Sequence, residues 1–220
     1  MEFTGFSPET FDFLWGIRMN NNREWFEAHK QDYLETLYRP MQALGEALYV
    51  PFRGVPGMRC KVSRIYRDTR MPQPNGPYKD GLWVSLRQDA FDWGEHPCLY
   101  FDLHPEGAEY GFVIWRPKPA RMARFREELA ANPDRFLTLA EKAERESGMT
   151  LTGERYKRAK PCADARAARF MSSKNLMCSM EIAPGPLLFD GAALLDTVQP
   201  ALQALLPLYE YFFALEGMGE

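Results

Sequence analysis

Three arginines, Arg64, Arg67 and Arg70, fall within seven residues, and Tyr78 and Lys79 follow after a Pro-rich loop. A guanidinium carries five donors in a planar fork and grips a carboxylate or phosphate with two of them. Three on one strand–loop segment can frame a small anion, with Tyr66 and Tyr78 as hydroxyl donors or a stacking wall. Asp68 can orient one of the arginines. The same residues would equally make an internal Arg–Asp network that pins a long loop to a sheet, and the sequence leaves both readings open. Phosphoryl chemistry at such a site would rest on positioning and charge stabilisation. His29 and Asp68 are then the candidates for proton transfer. His29 sits one helical turn from Trp25 and from Tyr33, so a hydrogen-bonded core or edge histidine is the alternative.

Other chemistries find less support. The histidines are His29, His96 and His104. Asp102 and His104 would point the same way from one strand, with Asp92, Glu95 and His96 just upstream. These are acceptable ligand types for a transition metal, but no spacing matches a zinc motif, so no metal and no cofactor is expected. There is no nucleophile elbow, no P-loop and no dinucleotide motif. Ser172-Ser173-Lys174 reads as a polar step without chemistry. Cys60, Cys98, Cys162 and Cys178 contain no C-x-x-C pair and read as small, mostly buried thiols in a reducing compartment.

Charge is segregated along the chain. The 220 residues carry a net charge of −3. Residues 53–79 hold seven basic side chains and one acid, residues 116–126 hold five and none, and residues 155–174 hold seven and one. These segments together carry +17, and the rest of the chain −20. If they converge, they form an anion site; if they scatter, they are solvated faces. A pI of about 5.8 argues against a general nucleic-acid coat. Apolar residues at 45% exclude bulk disorder, and no stretch approaches a membrane span or signal peptide, so a soluble, cytoplasmic protein is expected.

The elements that must position these residues follow from periodicity. Ser7-Pro8-Glu9 starts a helix running to about Arg18, with Phe6 and Phe11 at staple spacing. Asn21 can cap a second helix, which carries Trp25, Phe26, His29, Tyr33, Leu34 and Leu37, and Pro40 either kinks it or opens another. Residues 58–67, 82–88, 98–104 and 110–116 have period two and read as strands, the last pair joined through His104–Ala108. A helix from about 119, another from Asn132 to Gly148, a helical 164–172, a strand over 175–182 and an apolar helix over 190–216 complete the chain. Pro200 and Pro207 should interrupt the last. Short connections favour antiparallel pairing. The expectation is one α+β domain over residues 1–220, with a mainly antiparallel sheet of about four to six strands flanked by N-terminal and C-terminal helices.

Asn20-Asn21-Asn22-Arg23-Glu24-Trp25-Phe26 with His29-Lys30 and Tyr33, then Arg64…Arg67-Asp68-x-Arg70 and Pro77-Tyr78-Lys79, resemble the signatures of a widespread, mostly microbial family, the domain of unknown function 2461. Looser matches are Tyr100–Pro105, Lys157–Pro161 and Leu206-Pro207-Leu208. The resemblance covers roughly residues 6–216. It implies one full-length domain and no mechanism, because the family carries no established activity. The chain departs from the family at Met71-Pro72-Gln73-Pro74-Asn75, where relatives have Phe-Ser and a Lys-rich stretch, and in keeping only Gly111 of a Gly-rich strand start. The functional expectation is a site for a small phosphate- or carboxylate-bearing ligand at Arg64, Arg67, Arg70, Tyr78 and Lys79. The alternatives are nucleic-acid binding through the same basic segments, or a structural or partner-binding module whose arginines are scaffold. No membrane partner is expected.

Overall fold

A computed structural model describes residues 2–68, 70, 72, 74–88 and 93–217. Among them, the period-two segments form a five-stranded antiparallel sheet: β1 (Met58–Val62), β2 (Leu82–Gln88), β3 (Cys98–His104), β4 (Gly107–Ile114) and β5 (Leu176–Ile182), in the spatial order β1-β2-β3-β4-β5. Alternate residues supply a buried face, including Leu82, Val84, Leu86, Leu99, Phe101 and Leu103. The β3–β4 connection is tighter than the sequence suggests. Only Pro105 and Glu106 lie outside the strands, and β4 begins at Gly107. Gly107 takes φ +137°, and a Cβ there would stand 2.1 Å from the Ile182 carbonyl oxygen. Glycine is what permits this approach.

The helices are α1 (Pro8–Met19), α2 (Arg23–Ala28), α3 (Lys30–Asp32), a π-helical turn Tyr33–Tyr38, α4 (Arg39–Tyr49), α5 (Pro119–Ala131), α6 (Pro133–Ser147), the short α7 (Ala168–Met171) and α8 (Pro186–Phe189), and α9 (Gly191–Gly217). Ser7 caps α1, and its backbone N–H is held by Thr10 Oγ1 at 3.1 Å. Asn132 caps α6, which ends at the left-handed Gly148. Two expectations are corrected. The helical reading of 164–172 shrinks to α7, because Asp164 closes a tight turn instead, its Oδ1 accepting from the Arg166 N–H at 2.8 Å and its carbonyl from the Ala167 N–H at 3.1 Å. Helix α9 runs through Pro200 and Pro207. A proline inside a helix costs about 3 kcal/mol, but Val198, Leu202, Leu205 and Leu208 are fully buried and fix its course.

The chain forms two compact units. The first comprises Met1–Leu86, Phe101–Tyr110 and Glu181–Gln199. Its core includes Phe6 stacked on Phe101, and Phe13 against Trp25. The second comprises Arg87–Tyr100, Gly111–Met180 and Pro200–Glu220. Here Phe125, Phe136, Phe170 and Phe212 interlock, with Phe125–Phe136 centroids 4.8 Å apart and Phe136–Phe170 centroids 5.0 Å apart. Such ring pairs add to area burial. No helix of the described residues is long and apolar enough to cross a membrane.

Gly107→Ala should destabilise by about 1–3 kcal/mol, the usual cost of a strained backbone site. Thermal denaturation would register it as a loss of about 2–4 °C per kcal/mol. An unchanged Tm would mean the β4–β5 approach relaxes freely.

Candidate functional site

The Arg64–Lys79 segment lies in the first unit. The Asn20–Asn22 motif reaches it directly. Asn22, and not Asn21, caps α2, its Oδ1 accepting from the Trp25 N–H at 3.0 Å. Asn21 is thereby left to bind the loop. Its Nδ2 donates to the Tyr78 carbonyl at 2.9 Å, and its Oδ1 accepts from the Tyr78 N–H at 3.0 Å. Arg67 Nε donates to that same Tyr78 carbonyl at 2.6 Å. Arg67 Nη2 lies 3.6 Å from Asp80, whose other oxygen accepts from Arg18 Nε at 2.6 Å. Arg18 also forms a two-pronged pair with Glu106, and Glu106 holds the His104 ring at 3.2 Å.

The predicted ligand-binding residues therefore separate in character. Arg67 is half-buried and joins the loop to the sheet. Arg70 is exposed and closes back on Asp68, with Nη2–Oδ2 at 2.6 Å, and this pairing holds the Asp68 carboxyl down at about 2. Arg64 is exposed, and among the described residues its guanidinium has no partner. Its carbonyl accepts from Lys79 Nζ. That ammonium lies 4.3 Å from the centre of the Trp83 ring. Burial, then the nearby Arg67, lower the Lys79 pKa. Tyr78 is buried and stacks on Phe26 at 4.3 Å, while Tyr66 is 51% exposed. His29 Nδ1–H donates to the Trp25 carbonyl at 2.8 Å, and its ring stacks on Trp25 at 4.0 Å. Thr69 of the arginine motif, Met71 and Gln73 of the divergent stretch, and Asp92 of the histidine-bearing stretch lie outside the described residues.

Asp102, on β3 of this unit, is a carboxylate pushed toward its protonated form. Burial lifts its pKa to about 6, with Glu109 and Asp80 adding to the rise and His104 opposing it. The two-residue β3–β4 loop sets Asp102 opposite Glu109, a like-charge pair that disfavours ionisation.

The second and third basic segments both lie in the second unit, and they meet at Tyr156. Residues 152–156 pair with 172–177. Thr152 bridges Met177, Arg155 bridges Ser173, and the Tyr156 N–H donates to the Ser172 carbonyl at 2.9 Å. Ser172 Oγ further accepts from the Lys160 N–H at 2.9 Å. The Ser172-Ser173-Lys174 step is thus the ledge that folds the third segment back on itself, a role its sequence did not disclose. Around the Tyr156 ring stand Lys160 Nζ at 5.1 Å, Arg126 Cζ at 5.7 Å and Lys174 Nζ at 5.9 Å. The compensating acid is Glu154, 3.6 Å from Lys174. Arg126 Nη1 is buried, and among the described residues no acceptor meets it. A buried unsatisfied donor costs about 1–3 kcal/mol, more when charged. Natural structures carry few of them, so each calls for an acceptor. Other arginines of these segments are engaged: Arg166 by Asp164 and Asp134, and Arg169 by Glu144 at 2.9 Å.

The sequence counts Arg126 among the basic residues of 116–126 without giving it a site role, and Tyr156, inside the third basic segment, goes unmarked. The available signal was an aromatic residue flanked by Arg155 and Lys157. The long-range pairing that brings α5 to it had none.

A five-stranded antiparallel sheet with helices before it, after it and between its last two strands in sequence, and with cations gathered around one tyrosine, defines an α+β protein with a candidate anion site. The chain matches over residues 9–211 the model of a family described as conserved hypothetical protein (DUF2461), and it belongs to that family. A search of curated proteins finds no match to it.

Two outcomes follow for the first unit. Arg67→Ala should lower stability by about 1–3 kcal/mol, because the Tyr78 carbonyl and Asp80 each lose a donor. Arg70→Ala should stay within about 0.5 kcal/mol. Equal losses in thermal denaturation would contradict this division. For Asp102 the folded pKa exceeds the unfolded value, so the folded state binds the proton more tightly. Its contribution is fully present below about pH 4 and is lost as pH rises through about 6. Asp102→Asn should therefore be more stable than wild type above pH 6, on the order of 2 kcal/mol, with the gain shrinking toward pH 4. Tm curves across this window that run parallel would disprove the assignment.

Proposed function

We propose that this protein binds a small phosphate- or carboxylate-bearing ligand, and that the cations holding it come from the second and third basic segments. The observation that carries the reading is the buried Arg126 Nη1, without an acceptor among the described residues, beside Lys160 and Lys174 at one tyrosine ring. Three positive charges around one ring, with Glu154 paired to Lys174 among the described residues, repel one another, and a bound anion relieves that repulsion while supplying the missing acceptor. The Tyr156 ring, 39% exposed, gives the cluster an open side. At Arg64–Lys79 the same physics argues for scaffold, since the guanidinium groups of Arg67 and Arg70 already have carboxylates. Among the described residues, Arg64 is an exposed cation there whose guanidinium keeps its donors. The chain is also read as cytoplasmic, since four free cysteines suit a reducing compartment.

Thermal-shift titration with inorganic phosphate and citrate tests the proposal. A ligand at about 100 times its dissociation constant stabilises by about 2.7 kcal/mol. The shift should vanish in Lys160→Gln/Lys174→Gln and persist in Arg64→Ala. The reverse pattern would return the ligand to the first basic segment. A salt-sensitive shift with oligonucleotides alone would replace the small anion by nucleic acid.

A further inference from the structure

We infer that the ligand is amphiphilic, with an anionic group held by Arg126, Lys160 and Lys174 and a compact apolar body lodged in the cleft beside them. This rests on the anion-site reading above and adds the class of molecule. A cleft of about 490 Å³ in the same unit is lined by Leu129, Ala130, Pro133, Pro161 and Met171 among others. That volume suits a small organic molecule, being near the lower part of the range for ligand pockets.

The cleft and the cation cluster are built from the same pieces of chain. Leu129 and Ala130 lie three and four residues beyond Arg126 on α5, so they stand on its side of the helix, one turn along. Pro161 follows Lys160 directly. The Lys160 N–H is pinned to Ser172 Oγ, and Met171 precedes Ser172. Thus each of the two walls carries a cation at one end and apolar side chains next to it. The acid in the lining, Asp164, is already committed to Arg166 at 2.6 Å and does not oppose an anion as a bare charge. An inorganic anion would use the cations alone and leave Ala130, Pro133 and Pro161 facing water.

The test compares three probes with a common head group, inorganic phosphate, phenyl phosphate and 1-naphthyl phosphate, by calorimetric titration. In wild type, affinity should rise at least about tenfold from inorganic phosphate to 1-naphthyl phosphate, as apolar area leaves water. Ala130→Trp, at an exposed position of the cleft wall, should abolish that gain and leave inorganic phosphate within about twofold of wild type. If Ala130→Trp does not fold, Ala163→Trp at the opposite wall serves. Equal affinity for all three probes in wild type would overturn the amphiphile and leave the anion site standing. A gain that survives the filled cleft would overturn it too. Failure of every probe to bind wild type would overturn both readings.

Discussion

One carbonyl oxygen carries much of the first unit. Tyr78 O accepts from Asn21 and from Arg67 together, and Asn21 completes a two-way amide pair with the Tyr78 backbone. A loop between β1 and β2 would otherwise present unsatisfied backbone groups. Asp80, two residues on, bridges Arg67 to Arg18 at the end of α1. The motifs that looked like separate functional signatures, the asparagine run and the arginine run, are the two halves of this clamp. It ties the first helices to the sheet, stacks Tyr78 on Phe26 and fixes the entry of β2.

The basic segments share a composition and differ in their surroundings. In the first, carboxylates lie close by in sequence or in space, and two guanidinium groups find them. In the second and third, several arginines are likewise paired, but Arg126, Lys160 and Lys174 gather with one carboxylate among them. Arginine in a bidentate pair is a structural fastener, whereas arginine with a buried donor to spare still calls for an acceptor. Composition cannot separate these, because the distinction lies in the acceptor that folding delivers.

Much of the fold was legible. Apolar alternation located β2 and β3 to the residue, and cap residues located α1 and α6, since these signals act within a few residues. The misreadings share a cause. Asn21 passes the cap to Asn22 because Tyr78, far along the chain, claims its amide. Residues 164–172 lose most of their helix because Asp164 closes a turn on the Arg166 N–H, and Arg166 is anchored to Asp134, far along the chain on α6. Helix α9 keeps its prolines inside because buried leucines hold it.

The sequence by itself determined the α+β class, most strand and helix positions, the family, and the segregation of basic charge, all of which rest on periodicity, local hydrogen bonding and composition. Only the tertiary structure decided which cations are consumed and which remain available. That outcome depends on donors and acceptors distant in sequence, such as Asn21 and Tyr78, Arg18 and Asp80, or Arg126 and Tyr156. Their approach is set by packing of the whole unit and leaves no mark in the spacing of the residues themselves.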